Sequence, residues 1–324
     1  MFTGIKNHYL RFALNLLVLF LILFVIDRVA GNITKRIYFS QVAGANYRTT
    51  YAMDSTTAEI LVFGSSRASH HYVPEVFEDS LKMSFYNAGS DGNSILYTFA
   101  IFKTIMKRHT PKIIIIDLRA AELNYNSESY DRLSCLQPYY YTHPEIQSIV
   151  NLRGQYEKYK MLSASYPFNS SFTAIIVGNM EFNKKRKSDQ KGYIPLFNSI
   201  EDTSFRISED TLINYDNNNI NAIKTICQIC NEKKIILYLI QSPLFLKVRS
   251  ATSNIMISKI AEDYHAYLLN YLNDSLFINN PSYFKDKSHL NDEGAKVFSS
   301  EIVEKIKIDQ NLFYLPITGT TTNK

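Results

Sequence analysis

Apolar positions follow three rhythms along this chain. From Leu10 to Ile26 the residues read LRFALNLLVLFLILFVI, an apolar run interrupted only by Arg11 and Asn15. Farther on, short apolar runs bounded by turn residues occur at Glu59–Phe63, Ser84–Tyr86, Lys112–Asp117, Lys234–Ile240 and Ser275–Ile278. They are too short for helices and predict strands. Between them, apolar residues recur every three or four positions in Ser94–Arg108, Asn219–Asn231 and Ser253–Leu272, and again through Ala295, Val297, Phe298, Ile302, Val303 and Ile306. Strands alternating with helices imply an α/β domain whose mainly parallel sheet is covered on both faces. Reactive groups of such sheets gather at the strand C-terminal ends.

The first run, at 1.5 Å per residue, is about 25 Å long, enough for one membrane helix at the short end of the range. A cleaved signal peptide would continue into small residues, whereas Asp27-Arg28 follows here, so an uncleaved anchor is expected. Lys6 and Arg11 precede the span and Arg28, Lys35 and Arg36 follow it, so charge does not fix the orientation. Between Leu123 and about Asp216 the alternation gives way to a Tyr-rich stretch with Pro138-Tyr-Tyr-Tyr141, helices expected near Pro144–Met161 and Phe172–Glu181, and the basic Asn183-Lys-Lys-Arg-Lys187. A structureless loop of that length is rare, so an inserted lid or subdomain is expected. The resulting organisation is a tail and anchor over 1–31, a juxtamembrane segment over 32–57, an α/β domain over 58–308 with an insertion at about 123–216, and a flexible tail over 309–324.

Composition narrows the function. With 324 residues, 46% of them hydrophobic, the chain can bury one substantial core, which excludes a disordered protein. A net charge of +5 with the signs mixed throughout lacks the basic stripe of a nucleic-acid binder, so no nucleic-acid partner is expected. The three cysteines, Cys135, Cys227 and Cys230, cannot all pair and lack the neighbours of a zinc site. Cys227 and Cys230 fall on the apolar side of a helical pattern and read as core residues. No metal and no cofactor is expected.

The chemistry lies in two distant stretches. Ile60-Leu-Val-Phe-Gly-Ser-Ser66-Arg67 ends a strand at a glycine and two serines, a turn that would expose the Ser66 hydroxyl and place helix N-terminal N–H groups beside it. Asp286-Lys-Ser-His289 supplies an imidazole to take and return a proton, with a carboxylate three residues earlier to orient it. Among the other histidines, His70 is expected at the mouth of the site, and His71, His109 and His143 at the surface. Gln241-Ser-Pro243 ends the fourth strand at the reactive edge, where Gln241 is a candidate substrate contact and the proline a turn former.

These stretches resemble the SGNH, or GDSL-like, hydrolase superfamily over roughly Ala58–Ile306. Phe63-Gly-Ser-Ser66 stands where that family has Gly-Asp-Ser, matching Ser66 to the nucleophile. Asn87-Ala-Gly-Ser-Asp-Gly92-Asn93 resembles the second block, whose glycine, here Gly92, gives an oxyanion-hole N–H alongside that of Ser66. Asp286-Lys-Ser-His289 followed by Leu-Asn-x-x-Gly-Ala resembles the last block. The resemblance implies a three-layer, flavodoxin-like sandwich on a five-stranded sheet and a Ser66–His289–Asp286 triad. Ser65 in place of the family's aspartate is similar to membrane-anchored members such as D-alanine-transfer proteins. The third block departs: Asp117-Leu-Arg-Ala-Ala-Glu122 lacks the asparagine that completes the oxyanion hole. Arg67, Asn93 and Arg119 are the candidate substrate or oxyanion contacts in its place.

The function this implies is serine-based acyl transfer, with acetyl the expected group and a cell-envelope or capsular polysaccharide the expected acceptor, by similarity to alginate O-acetylation proteins. A plain esterase and a non-catalytic glycan-binding or assembly protein stay open beside it. The implied partners are the membrane, through Leu10–Ile26, the polymer and a membrane acyl-donor protein. The implied location is the cytoplasmic membrane, with the catalytic domain outside the cytoplasm.

Overall fold

The computed structural model describes residues 7–179, 190–204, 207–209, 214–249 and 253–314. The chain divides into two units: residues 1–50 with 127–186, and residues 51–126 with 187–324. The sheet and the candidate chemistry belong to the second unit.

Seven strands occur among the described residues: β1 (Ile60–Phe63), β2 (Phe85–Asn87), β3 (Ile113–Asp117), β4 (Ile207–Glu209), β5 (Ile236–Gln241), β6 (Lys247–Arg249) and β7 (Tyr267–Asn270). Five of them form one sheet in the order β2-β1-β3-β5-β7, parallel at every pairing, while β4 and β6 pair separately. Isoleucines in register across β1 and β3, Ile60 beside Ile113 and Phe63 beside Ile116, give the continuous apolar interior of a sheet buried on both faces. The mainly parallel α/β sheet expected from the alternation is present.

The helices of this unit include α3 (Ser66–His71), α4 (Pro74–Leu81), α5 (Ile95–Arg108), α6 (Asn217–Glu232), α7 (Ser253–Asp263) and α8 (Asp292–Tyr314). One sheet face, carrying Ile60, Val62, Ile113, Ile115, Tyr238 and Ile240, shares a core cluster with Phe77 of α4 and Phe298, Ile302 and Ile306 of α8. On the alternate face Phe63 meets Phe102 of α5 edge-on, with ring centroids 6.3 Å apart. Cys227 and Cys230 are buried in α6 as expected, and burial pushes the Cys227 thiol up to about 12.

The fifth strand is not where the sequence placed it. Ser275–Ile278 is a short helix, started by Asp274, whose carboxylate accepts the Leu276 N–H at 2.8 Å. The strand is Tyr267–Asn270, inside the stretch expected as helix to Leu272. That helix stops at Asp263 because His265 turns left-handed, with φ 57°, and the Ala266 N–H closes back on the Ala261 carbonyl at 2.8 Å. Glycine usually marks such an end, and here a histidine does.

In the first unit, α1 (His8–Phe39) is one continuous helix, long and apolar enough to cross a membrane. It runs well past Ile26, so the expected juxtamembrane segment begins inside it and continues as α2 (Ala45–Asp54). The insertion is narrower than 123–216: only its part from Ser127 belongs with α1, and its return segment belongs with the sheet. Around Pro144–Met161 it forms short turns of helix rather than one, and Phe172–Asn179 is helical as expected. Helix α8 runs to Tyr314, past the expected end at 308. The basic cluster Asn183–Lys187 and the tail Thr318–Lys324 lie outside the described residues.

Candidate active site

The order of the sheet reverses between β1 and β3, since the chain leaves β1 toward β2 and then crosses to β3 on the other side. The crevice beyond the strand ends at such a switch point is where α/β sheets hold ligands. Ser66 sits there as the first residue of α3, with Ser65 as its N-cap. Gly64 makes the turn: its φ is +144°, and a Cβ there would lie 2.7 Å from the Asp117 carbonyl oxygen at the end of β3. A side chain at this position would separate β1 from β3 just where Ser66 must emerge.

His289 and Asp286 arrive from the loop between β7 and α8. The Ser66 Oγ lies 2.7 Å from His289 Nε2, and His289 Nδ1 lies 2.9 Å from Asp286 Oδ2. A carboxylate only accepts, so Nδ1 carries the proton and Nε2 is left to accept from the serine hydroxyl. Asp286 also accepts the backbone N–H groups of Ser288 at 2.8 Å and His289 at 3.0 Å. Burial pushes the Asp286 carboxyl up, but the His289 ring and these N–H groups outweigh it and hold the carboxyl below its usual range. The loop folds back on itself as well, the Lys285 N–H donating to the His289 carbonyl at 2.8 Å. The fold thus brings Ser66 and His289, 223 positions apart in sequence, within hydrogen-bond reach.

Two histidines expected at the mouth or surface are buried instead. The His71 Nε2 accepts the Leu290 N–H at 3.0 Å, which pins the residue after His289 to the end of α3. Burial, helped by the nearby rings and Arg67, drives the His71 pKa well below its usual value, so the imidazole is the neutral acceptor this bond needs. The His70 Nδ1 donates to the Ile194 carbonyl at 2.7 Å, and its Nε2 lies 3.3 Å from Asp91, the residue before Gly92. Their adjacency in sequence carried no sign of burial. His109 is half-buried, its Nε2 donating to the Ala58 carbonyl at 2.9 Å, and His143 has an acid partner, Glu145, at 3.2 Å.

Arg67, expected to touch substrate, points inward. Its Nε donates to Asp117 at 3.0 Å and its Nη2 to Glu122 at 2.8 Å, with its side chain 6% exposed. The Tyr72 hydroxyl donates to the other Asp117 oxygen at 2.9 Å, and the Ser65 hydroxyl to Glu122 at 3.4 Å. Burial raises the Asp117 carboxyl and Arg67 pulls it back; with a guanidinium and a hydroxyl both on it, the geometry fits the ion-paired form. Asp117 and Glu122 are thus the counter-charges that fix Arg67, the residue after Ser66. An arginine directly after the candidate serine was the available signal.

The other candidates stand as follows. Gly92 lies in the turn after Asp91 with φ 70°. The Asn93 amide donates to the Ser90 hydroxyl at 2.7 Å, and the Asn87 side-chain oxygen Oδ1 accepts the Gly89 N–H at 2.9 Å, which shapes Asn87–Asn93 as a tight loop beside α3. Arg119 is half-buried, and its carbonyl accepts the Glu122 N–H at 3.0 Å in a short 3-10 turn. Gln241 is buried at the end of β5, its carbonyl taking the Tyr271 N–H at 2.8 Å. A cavity of 460 Å³ lined by Cys227, Cys230 and Tyr267 lies at the N-terminal ends of β5 and β7, away from Ser66.

A scan against protein-family models finds no match for this chain, and a search of curated proteins finds none either.

Proposed function

We propose that the protein is a membrane-anchored serine acyl-transfer enzyme of the SGNH type, built as a three-layer sandwich, that acts on ester-linked acetyl groups of cell-envelope or capsular polysaccharide. The observation that carries this reading is the unbroken relay from Ser66 through His289 to Asp286 at the switch point of the sheet. His289 takes the Ser66 proton as Oγ attacks the ester carbonyl carbon. The Ser66 and Gly92 N–H groups receive the oxyanion, and His289 then returns the proton to the leaving alkoxide. The acyl-enzyme is resolved by a sugar hydroxyl, or by water in a plain esterase. The apolar helix holds the domain at a membrane, which favours a surface polymer over a diffusing metabolite, and the family resemblance puts the domain outside the cytoplasm.

A fluorophosphonate probe tests the nucleophile directly. The parent protein is expected to label on Ser66 and the Ser66→Ala variant not to label, with release of acetate from an activated ester falling by at least about 10³-fold. A folded parent that does not label, or a variant that releases acetate as fast as the parent, overturns the reading. The first of these results favours a glycan-binding or assembly protein, because the second side-chain donor of the oxyanion hole has no counterpart in the third block. Acyl composition of envelope polysaccharide from cells with and without the protein then identifies the acceptor.

A further inference from the structure

The insertion is fastened to α1 at one particular height. Asp27, the residue after the apolar run, accepts the Ser163 and Ser165 hydroxyls at 2.6 Å each, the Ala164 N–H at 2.8 Å and the Ser165 N–H at 3.1 Å. One residue on, the Arg28 guanidinium donates to the Leu162 carbonyl. At Gly31 a Cβ would lie 2.3 Å from the Ala164 backbone, so the helix and the segment touch main chain to main chain. With a rise of 1.5 Å per residue from Ile26 to Gly31, Leu162–Ser165 are held within about 8 Å of the level at which the apolar run ends.

What this edge displays is unlike an ordinary soluble surface. Tyr156, Tyr159 and Leu162 are 61%, 66% and 66% exposed, and Tyr141, whose hydroxyl donates to the Met161 carbonyl at 2.7 Å, is exposed beside them. Lys158 stands between the two tyrosines and Lys160 directly after Tyr159, both exposed. The one acid in the stretch, Glu157, is turned inward, where Arg153 at 2.7 Å and the Tyr166 hydroxyl at 3.1 Å hold it. The outward side of 156–162 therefore carries aromatic rings, a leucine and two exposed lysines, of which Lys160 lies 3.9 Å from the inward-turned Glu157. Tyrosines at headgroup depth, with lysines reaching up to anionic lipid, are what a protein presents at a bilayer interface.

We infer that Tyr141, Tyr156, Tyr159 and Leu162, with Lys158 and Lys160, form an interfacial contact with the same bilayer that α1 crosses, seated at the boundary of headgroups and acyl chains. This rests on the reading of α1 as a membrane span. The contact gives the anchor a second point of attachment beside the helix and fixes how the insertion faces the membrane, because Asp27 ties the two rigidly at the interface.

The chain contains no tryptophan, so single tryptophans report their surroundings without background. Full-length Phe20→Trp, Tyr159→Trp and Leu162→Trp variants are reconstituted in vesicles of phosphatidylcholine and phosphatidylglycerol whose acyl chains carry bromine at either a shallow or a deep carbon. Both insertion sites are exposed, so the larger ring meets no core. The expected result is quenching of Tyr159→Trp and Leu162→Trp by shallow bromine but not deep, and of Phe20→Trp by deep bromine. If Phe20→Trp is quenched while both insertion tryptophans emit as in unbrominated vesicles, the interfacial contact is wrong and the span stands. If none of the three is quenched, the span reading fails and the contact falls with it.

Discussion

Replacing Arg67 by methionine tests whether the ion-paired cluster behind the nucleophile holds this part of the fold. The substitution keeps most of the side-chain volume and removes the positive charge from between Asp117 and Glu122. Glu122, with a quarter of its side chain exposed, can turn to water at small cost. Asp117, with none exposed, cannot, and is left with neutral hydroxyl partners such as that of Tyr72. Stranding one buried carboxylate costs about 3–5 kcal/mol. At 2–4 °C per kcal/mol for a unit of this size, the thermal midpoint should fall by roughly 6–20 °C. Cys227 and Cys230, each 1% exposed, report unfolding of the sheet unit to a thiol-reactive dye once the partly exposed Cys135 is replaced by alanine. The deficit should also depend on pH. Burial already holds the Asp117 carboxyl above its ordinary value beside Arg67, and loss of the guanidinium raises it further, so the folded variant binds the proton over a wider pH range than the parent. The deficit is then smallest in acid, below the parent's raised Asp117 pKa, and grows as pH rises through the variant's higher one. Arg67→Met with Asp117→Asn should recover part of the loss, since the buried charge is then gone. A midpoint within about 2 °C of the parent, or a deficit flat with pH, would falsify the argument.

Two further predictions concern the site itself. Asp286→Asn should lower kcat by about 10⁴ with little change in KM, because the amide no longer holds His289 in the tautomer that accepts from Ser66; a loss under ten-fold in steady-state ester hydrolysis sinks the triad. The Asp286 carboxyl is held below its ordinary value, so the small stability it contributes is present above about pH 4 and lost as pH falls through its lowered pKa. A difference in thermal midpoint between parent and Asp286→Asn that widens in acid contradicts that sign. Gly64→Ala meets a backbone oxygen at 2.7 Å in a conformation disfavoured for alanine. It should slow fluorophosphonate labelling by about 10² through displacement of Ser66, and unchanged labelling would show that the turn does not set the nucleophile.

Much of this was readable in the chain because burial on both faces forces strands of a parallel sheet to be apolar at every position. Ile60–Phe63 and Ile113–Asp117 announce themselves for that reason. The last strand did not, since Tyr267–Asn270 lies at the sheet edge, half-buried, and its sequence continues the spacing of α7 without a glycine or proline to divide them. Helices α4 and α6 likewise end at left-handed lysines, Lys82 with φ 54° and Lys234 with φ 56°. Helix ends carried by lysine and histidine leave no mark in sequence, because nothing about those residues otherwise favours a stop.

By itself the sequence determined the sheet class, the apolar helix at the start, and the three residues whose chemistry suits acyl transfer, because strand burial, membrane span and acid-base character are properties of local composition. Which groups meet was decided only in three dimensions. Ser66 and His289 come within hydrogen-bond reach because β1 and the loop before α8 end on the same side of the sheet. Arg67, expected at a substrate, and Asp117 spend their charges on each other because both are buried there and neither can stay charged alone. The height of the insertion was likewise out of sight: Asp27 looked like the polar end of an anchor until the fold placed Ser163–Ser165 against it. Side-chain type names the reactions a residue can enter, and the tertiary fold selects the partner by fixing which polar groups lose water together.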